Sequence, residues 1–120
     1  MKIAFSSYGK TLDVLLDERF GRAANFVIYD TDSKETAVVV NTQNMEATQG
    51  AGIQSAMHCV NSGADTVITG HCGPKAFQVL QAAGIKVYLT RAVTAEQALR
   101  EFESGRLTPS TQADVEGHWA

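Results

Sequence analysis

The residues in this chain best suited to chemistry lie in Gly70-His71-Cys72-Gly73-Pro74, where an imidazole and a thiol sit side by side in a glycine-bounded turn. A thiolate is a soft ligand and a nucleophile, and the first turn of a helix favours thiolate over thiol through its dipole and unpaired backbone N–H groups. Cys72 and His71 could therefore contact or ligate a metal centre. Equally, Cys72 could be a small residue filling a tight turn, with His71 its solvated neighbour. Nucleophilic catalysis by the pair has poor geometry, because adjacent residues in a tight turn seldom face each other. Arg19-Phe20-Gly21-Arg22 adds two guanidiniums around a glycine that lets backbone approach an anion, although Arg19 could instead pair with Asp17 or Glu18. Gln49-Gly50-Ala51-Gly52 offers backbone N–H groups at a helix start. It matches neither a P-loop nor a dinucleotide fingerprint, and its glycines could simply make the turn.

Other chemistries find less support. His58 projects from the polar side of a helical pattern, and Cys59 sits at its margin as a packing residue. Two cysteines, with no Cys-x-x-Cys or His-x-x-x-His spacing, do not build a closed zinc site. Asp30 and Asp32 fall in a hairpin turn at the edge away from the glycine loops, and no Ser/His/Asp order stands out.

The elements that must position these residues follow from periodicity. Residues 2–6 read as a first strand, and 25–29 and 36–40 as a hairpin around the polar run 30–35. A long polar loop, 41–52, precedes a helix ending near Asn61, with Ile53, Ala56, Met57 and Val60 as its inward stripe. Residues 66–69 form a short buried strand, Pro74 starts the next helix with Ala76, Phe77, Leu80 and Ala83 recurring at helical spacing, and 85–89 form the last strand. Thr94-Ala95-Glu96-Gln97 fits a capping box, followed by Ala98, Leu99 and Phe102 and closed by Gly105.

The order β, β, β, α, β, α, β, α implies α/β architecture with a mixed five-stranded sheet. With strand one central, the hairpin on one side and strands four and five on the other, the C-terminal ends of strands one, three and four share an edge. The loops 6–10, 41–52 and 70–74 converge there, where an open α/β sheet usually binds its ligand.

Composition bounds the rest. The 120 residues suit a single domain, with 44% hydrophobic and 19% charged residues. A net charge of -3 gives no reason to expect nucleic-acid or anionic-membrane binding. No leader or bilayer-length run is visible, so a cytoplasmic protein with reduced thiols is expected. The stretch 106–120, rich in Thr, Ser, Gln and Asp, reads as a loose extension carrying His118 and Trp119.

Phe20-Gly21-Arg22-Ala23, Gly50-Ala51-Gly52-Ile53, residues 69–77 and Ala83-Gly84-Ile85-Lys86-Val87-Tyr88 together resemble the dinitrogenase iron-molybdenum cofactor family over residues 1–105. That family includes nitrogenase-cofactor carriers and the orange molybdenum-copper cluster protein. Its cofactor-carrying members often have His before Phe-Gly-Arg, where this chain has Arg19. The resemblance implies a ribonuclease H-like three-layer α/β/α fold without nuclease carboxylates. It also implies a non-catalytic protein related to nitrogen fixation that carries or protects an anionic metal-sulfur cluster of iron-molybdenum or molybdenum-copper type, or its precursor. Arg19, Arg22, Gly50, Gly52, His71, Cys72 and Gly73 would form its site, Cys72 and His71 supplying metal contacts. Partners would be the cluster and an ATPase or a cluster donor or acceptor. The alternative is a regulatory or protein-interaction module with no cluster.

Overall fold

The computed structural model describes residues 1–113. Strand β1 (Lys2–Ser7) lies at the centre of a sheet in the order β3-β2-β1-β4-β5, formed with β2 (Asn25–Asp30), β3 (Thr36–Val40), β4 (Thr66–Thr69) and β5 (Lys86–Leu89). β2 pairs antiparallel with both β1 and β3, whereas β4 and β5 run parallel to β1. β1, β3, β4 and β5 therefore all end at one edge, as the alternation of strand and helix in the sequence predicts.

Side chains alternate across the pleat and divide the core into two layers. Ala4, Phe26, Ile28, Val67 and Val87 face α1 (Ala51–Asn61) and α2 (Pro74–Ala82) on one side. Ile3, Phe5, Tyr29 and Ile68 face α3 (Ala95–Glu103) on the other. The result is a three-layer α/β/α arrangement with a five-stranded mixed sheet.

Two expectations need correction. The inward face of α1 is Gly52, Ser55, Ala56 and Cys59, with Cys59 fully buried and Met57 44% exposed. Both this set and the expected 53, 56, 57, 60 stripe have helical spacing. The smaller set turns inward because α1 lies against α2 and the 3₁₀ turn Phe20–Arg22, where short side chains let backbones approach. Residues 106–113, expected as a loose extension, lie along the outer edge of β5. Ser110 donates its backbone N–H to Val87 O at 2.7 Å, Tyr88 bridges Pro109, and Leu107 packs on the α3-side core. His118 and Trp119 fall outside the described residues.

The α3 start behaves as its sequence dictates. Gln97 N–H donates to Thr94 Oγ1 at 3.1 Å, while Gln97 Oε1 accepts from the backbone N–H of Val93 at 3.0 Å and of Thr94 at 3.4 Å. Thr94→Ala is expected to lower stability by about 1 kcal/mol, read as a lower urea midpoint with an unchanged slope.

Candidate functional site

At the edge where four strands end, the chain after β1 and the chain after β4 are clasped together. His71 N–H donates to Glu18 O at 2.6 Å, Phe20 N–H donates to His71 O at 3.1 Å, and Arg19 and His71 form a parallel bridge. A Cβ on Gly70 would lie 2.7 Å from Glu18 Cα and 2.8 Å from its carbonyl oxygen. Only glycine lets the two backbones come this close. Asp17, 1% exposed, fixes the same segment by accepting from Arg19 N–H at 3.0 Å.

The clasp sets the 3₁₀ turn against α1. Ser55 Oγ donates to Ala51 O at 2.7 Å, lies 3.1 Å from Gly21 O, and accepts from Asn41 Nδ2 at 2.9 Å. Asn41 Nδ2 also donates to Ala23 O at 2.8 Å. Gln54 holds the loop between β3 and α1: its Oε1 accepts from Asn44 N–H at 2.7 Å, and its Nε2 donates to Asn44 O and Gln49 O at 3.1 and 2.8 Å. His58, half-buried, adds a 2.8 Å contact from Nε2 to Thr42 O.

Two hollows flank the segment 17–23. One, about 600 Å³, is lined by Arg22, Gly50, Ala51, Asn41, Gln43, Asn44 and Gln54 among others. Among the described residues its lining includes Arg22 and no carboxylate. Gly50 caps α1 without a side-chain hydrogen bond, and no acidic residue occupies that helix's first turn. The N–H groups that open α1 therefore add to the Arg22 charge. The second hollow, about 840 Å³, is lined by Gly70, His71, Tyr8, Leu15 and Val93, and carries Arg91 with Glu18 and Glu101. Its charges are mixed and its rim is apolar.

Of the residues singled out from sequence, Arg22 and Gly50 thus meet in the first hollow, and His71 lines the second. Arg19 has a side chain 42% exposed, with Nε 3.6 Å from Asp17 Oδ1. Gly52 and Gly73 are buried, at the starts of α1 and α2. Cys72 is 1% exposed and belongs to the core cluster that holds Phe20, Ala56 and Cys59. Sequence reasoning missed Asp17, Asn41, Ser55 and Gln54. Small residues at 52, 55, 56 and 59 were the available signal for Ser55. Among the described residues no three of His, Cys, Asp and Glu gather into a metal-binding group. No helix among them is long and apolar enough to cross a membrane.

Both cysteines are thiols. Burial pushes the Cys59 thiol well above its ordinary range, and negative charge on Cys72 would push it further.

The family model described as dinitrogenase iron-molybdenum cofactor matches residues 1–105. The apo form of the orange protein from Desulfovibrio gigas superposes with a TM-score of 0.88 at 41% identity, covering 95% of this chain and 96% of that one. A NifB-like protein from Thermotoga gives 0.82 at 36% identity, covering 97% and 98%. A Methanocaldococcus jannaschii protein described as uncharacterized is 30% identical over 95 residues, 77% of this chain and 80% of that one.

Two outcomes follow from the geometry. Gly70→Ala should lower stability by about 1 to 3 kcal/mol in urea unfolding, because the atoms it meets are mostly backbone and cannot yield. Because folding raises the Cys59 pKa, the folded state keeps a proton that the unfolded chain releases above about pH 8.5. Stability should therefore fall as pH rises past that point, and Cys59→Ala should remove this part of the slope in urea titrations at stepped pH.

Proposed function

Since the chain belongs to the dinitrogenase iron-molybdenum cofactor family, we propose that it is a non-catalytic cytoplasmic carrier of an anionic metal-sulfur cluster, or of a precursor to one. The cargo is of iron-molybdenum or molybdenum-copper type and sits at the edge where β1, β3, β4 and β5 end. We read the three layers as the ribonuclease H-like arrangement that the family resemblance implies.

The observation that carries this reading is the hollow between the 3₁₀ turn and α1. It joins a guanidinium and a helix start without a side-chain cap, with no carboxylate in its described lining. Such a surface favours a polyanion and offers it hydrogen-bond donors. Arg22 and the backbone N–H groups around Gly50 and Gly52 balance the charge. Arg19, across the turn, contributes a longer-range positive field. His71 and Gly73 belong to the neighbouring turn, and Cys72 lies beneath it, positioned to respond to cargo through the packing of that turn or to ligate once it opens.

Holding a cluster from outside, by donors and charge, leaves it transferable to an acceptor protein. Several hydrogen bonds to one charged guest add affinity without the slow ligand exchange of a thiolate cage.

Anaerobic preparation from a host supplied with molybdenum, copper and iron, followed by elemental analysis and visible absorption, tests the reading. The wild-type chain should carry molybdenum and a sulfur-based chromophore, and Arg22→Glu should retain about tenfold less metal. Colourless, metal-empty protein purifying with a partner such as an ATPase would favour the regulatory module instead. Unchanged metal content in Cys72→Ala would remove Cys72 from the site and leave the Arg22 hollow standing.

A further inference from the structure

The two edges of the sheet are finished differently. Along β5, residues 106–113 occupy the outer side, with Ser110 N–H on Val87 O and Pro109 bridging Tyr88. Along β3 the outer side is bare among the described residues. This strand is Thr-Ala-Val-Val-Val, without charge, proline or glycine, and Val38 and Val40 are 37% and 56% exposed. Natural sheets usually protect an edge with lysine, proline or a bulge, because unpaired backbone groups recruit another strand.

The hydrogen-bond register specifies which groups face outward. Asp30 N–H donates to Glu35 O and Asn41 N–H donates to Ala24 O, each at 3.0 Å, in the register that sets Val27 opposite Val38. In an antiparallel ladder these positions alternate, so residues 35, 37, 39 and 41 turn their backbone groups toward β2. Thr36, Val38 and Val40 turn theirs away from the sheet. The Val40 carbonyl accepts from Thr42 N–H at 2.9 Å, which leaves its N–H facing outward.

We propose that the β3 edge is a homodimer interface, in which β3 of a second copy pairs antiparallel about a two-fold axis through Val38. The argument for a second copy is the self-complementary register. Val38 meets Val38 with two mutual N–H···O bonds, and on either side the outward N–H of Val40 meets the Thr36 carbonyl, so the outward groups of the two copies complement one another. Lys34 and Glu35 of one copy fall opposite Thr42 and Asn41 of the other, so no like charges meet. The exposed valines of the two strands form one row, giving a continuous ten-stranded sheet. Antiparallel pairing sends the two cargo rims to opposite ends of that sheet, where both stay open. A five-residue strand makes a small interface, so the dimer dissociates on dilution.

Sedimentation equilibrium over chain concentrations from micromolar to near millimolar tests this, together with amide hydrogen exchange at both extremes. The expected result is a mass rising toward twice that of one chain. The Val38 N–H should exchange at least tenfold more slowly in the concentrated sample, while the Val39 N–H, turned toward β2, is protected at both. Val38→Lys sets two like charges across the axis and should be monomeric throughout, with the circular dichroism and metal retention of the wild type. A wild-type chain that stays monomeric to near-millimolar concentration overturns the proposal. So does a dimer that survives Val38→Lys, or one in which the Val38 amide gains no protection. Metal retention is read separately, so the cargo reading and the dimer can fail independently.

Discussion

The rim of this molecule depends on one close approach, that of the Gly70 backbone to Glu18. The chain leaving β1 must return alongside the chain leaving β4 for His71 N–H to reach Glu18 O and for Phe20 N–H to reach His71 O. Any side chain at position 70 would push the strands apart, because a Cβ there would meet Glu18 backbone at 2.7 Å. With the clasp closed, Phe20 enters the core fully buried and Arg22 is left exposed on the far side of the turn. One glycine therefore decides both the burial of an aromatic ring and the position of the cation that faces the hollow.

The same clasp explains why the thiol and the guanidinium have different surroundings. Cys72 follows His71 directly and is carried inward with the start of α2, into the cluster with Cys59 and Ala56. In that setting a thiolate is poorly solvated, and burial acts on Cys59 in the expected direction. Arg22 stays exposed to solvent. Electrostatic attraction at the rim therefore rests on the guanidinium and on backbone dipoles, with sulfur beneath as a second layer. The larger hollow beyond the clasp sets Arg91 against Glu18 and Glu101, and its mixed charge makes it a weaker attractor for a polyanion.

How much of this was legible in sequence depended on whether the deciding interaction was local. Thr94 and Gln97 announce the start of α3 because cap chemistry is settled within four residues. The hairpin and the strand order follow from polar turns and crossover rules, and the convergence of loops at one edge follows from both. The face of α1 was not legible. Ile53, Ala56, Met57 and Val60 share their spacing with Gly52, Ser55, Ala56 and Cys59, and the closeness of two neighbouring backbones decides between them. Pairing of residues 106–113 with β5 uses backbone groups, on which a Thr- and Ser-rich composition says little. The division of the rim into two hollows was equally hidden, since it comes from the path of residues 17–23. That path is fixed by Asp17 and by Gly70, which lies more than fifty residues away.

The wall of the Arg22 hollow is also built before any guest arrives. Gln54 spends its whole side-chain amide on Asn44 and Gln49, and His58 holds Thr42, so the loop after β3 is tied to the helix whose first turn it faces. Ser55 and Asn41 tie the same helix to the 3₁₀ turn carrying Arg22. Loop, helix start and turn are therefore cross-linked, which lowers the ordering entropy that binding in this hollow would cost. Under the carrier function proposed above, a preformed wall with an exposed cation would let a charged cargo enter and leave without unfolding its container. That combination suits transfer better than permanent storage.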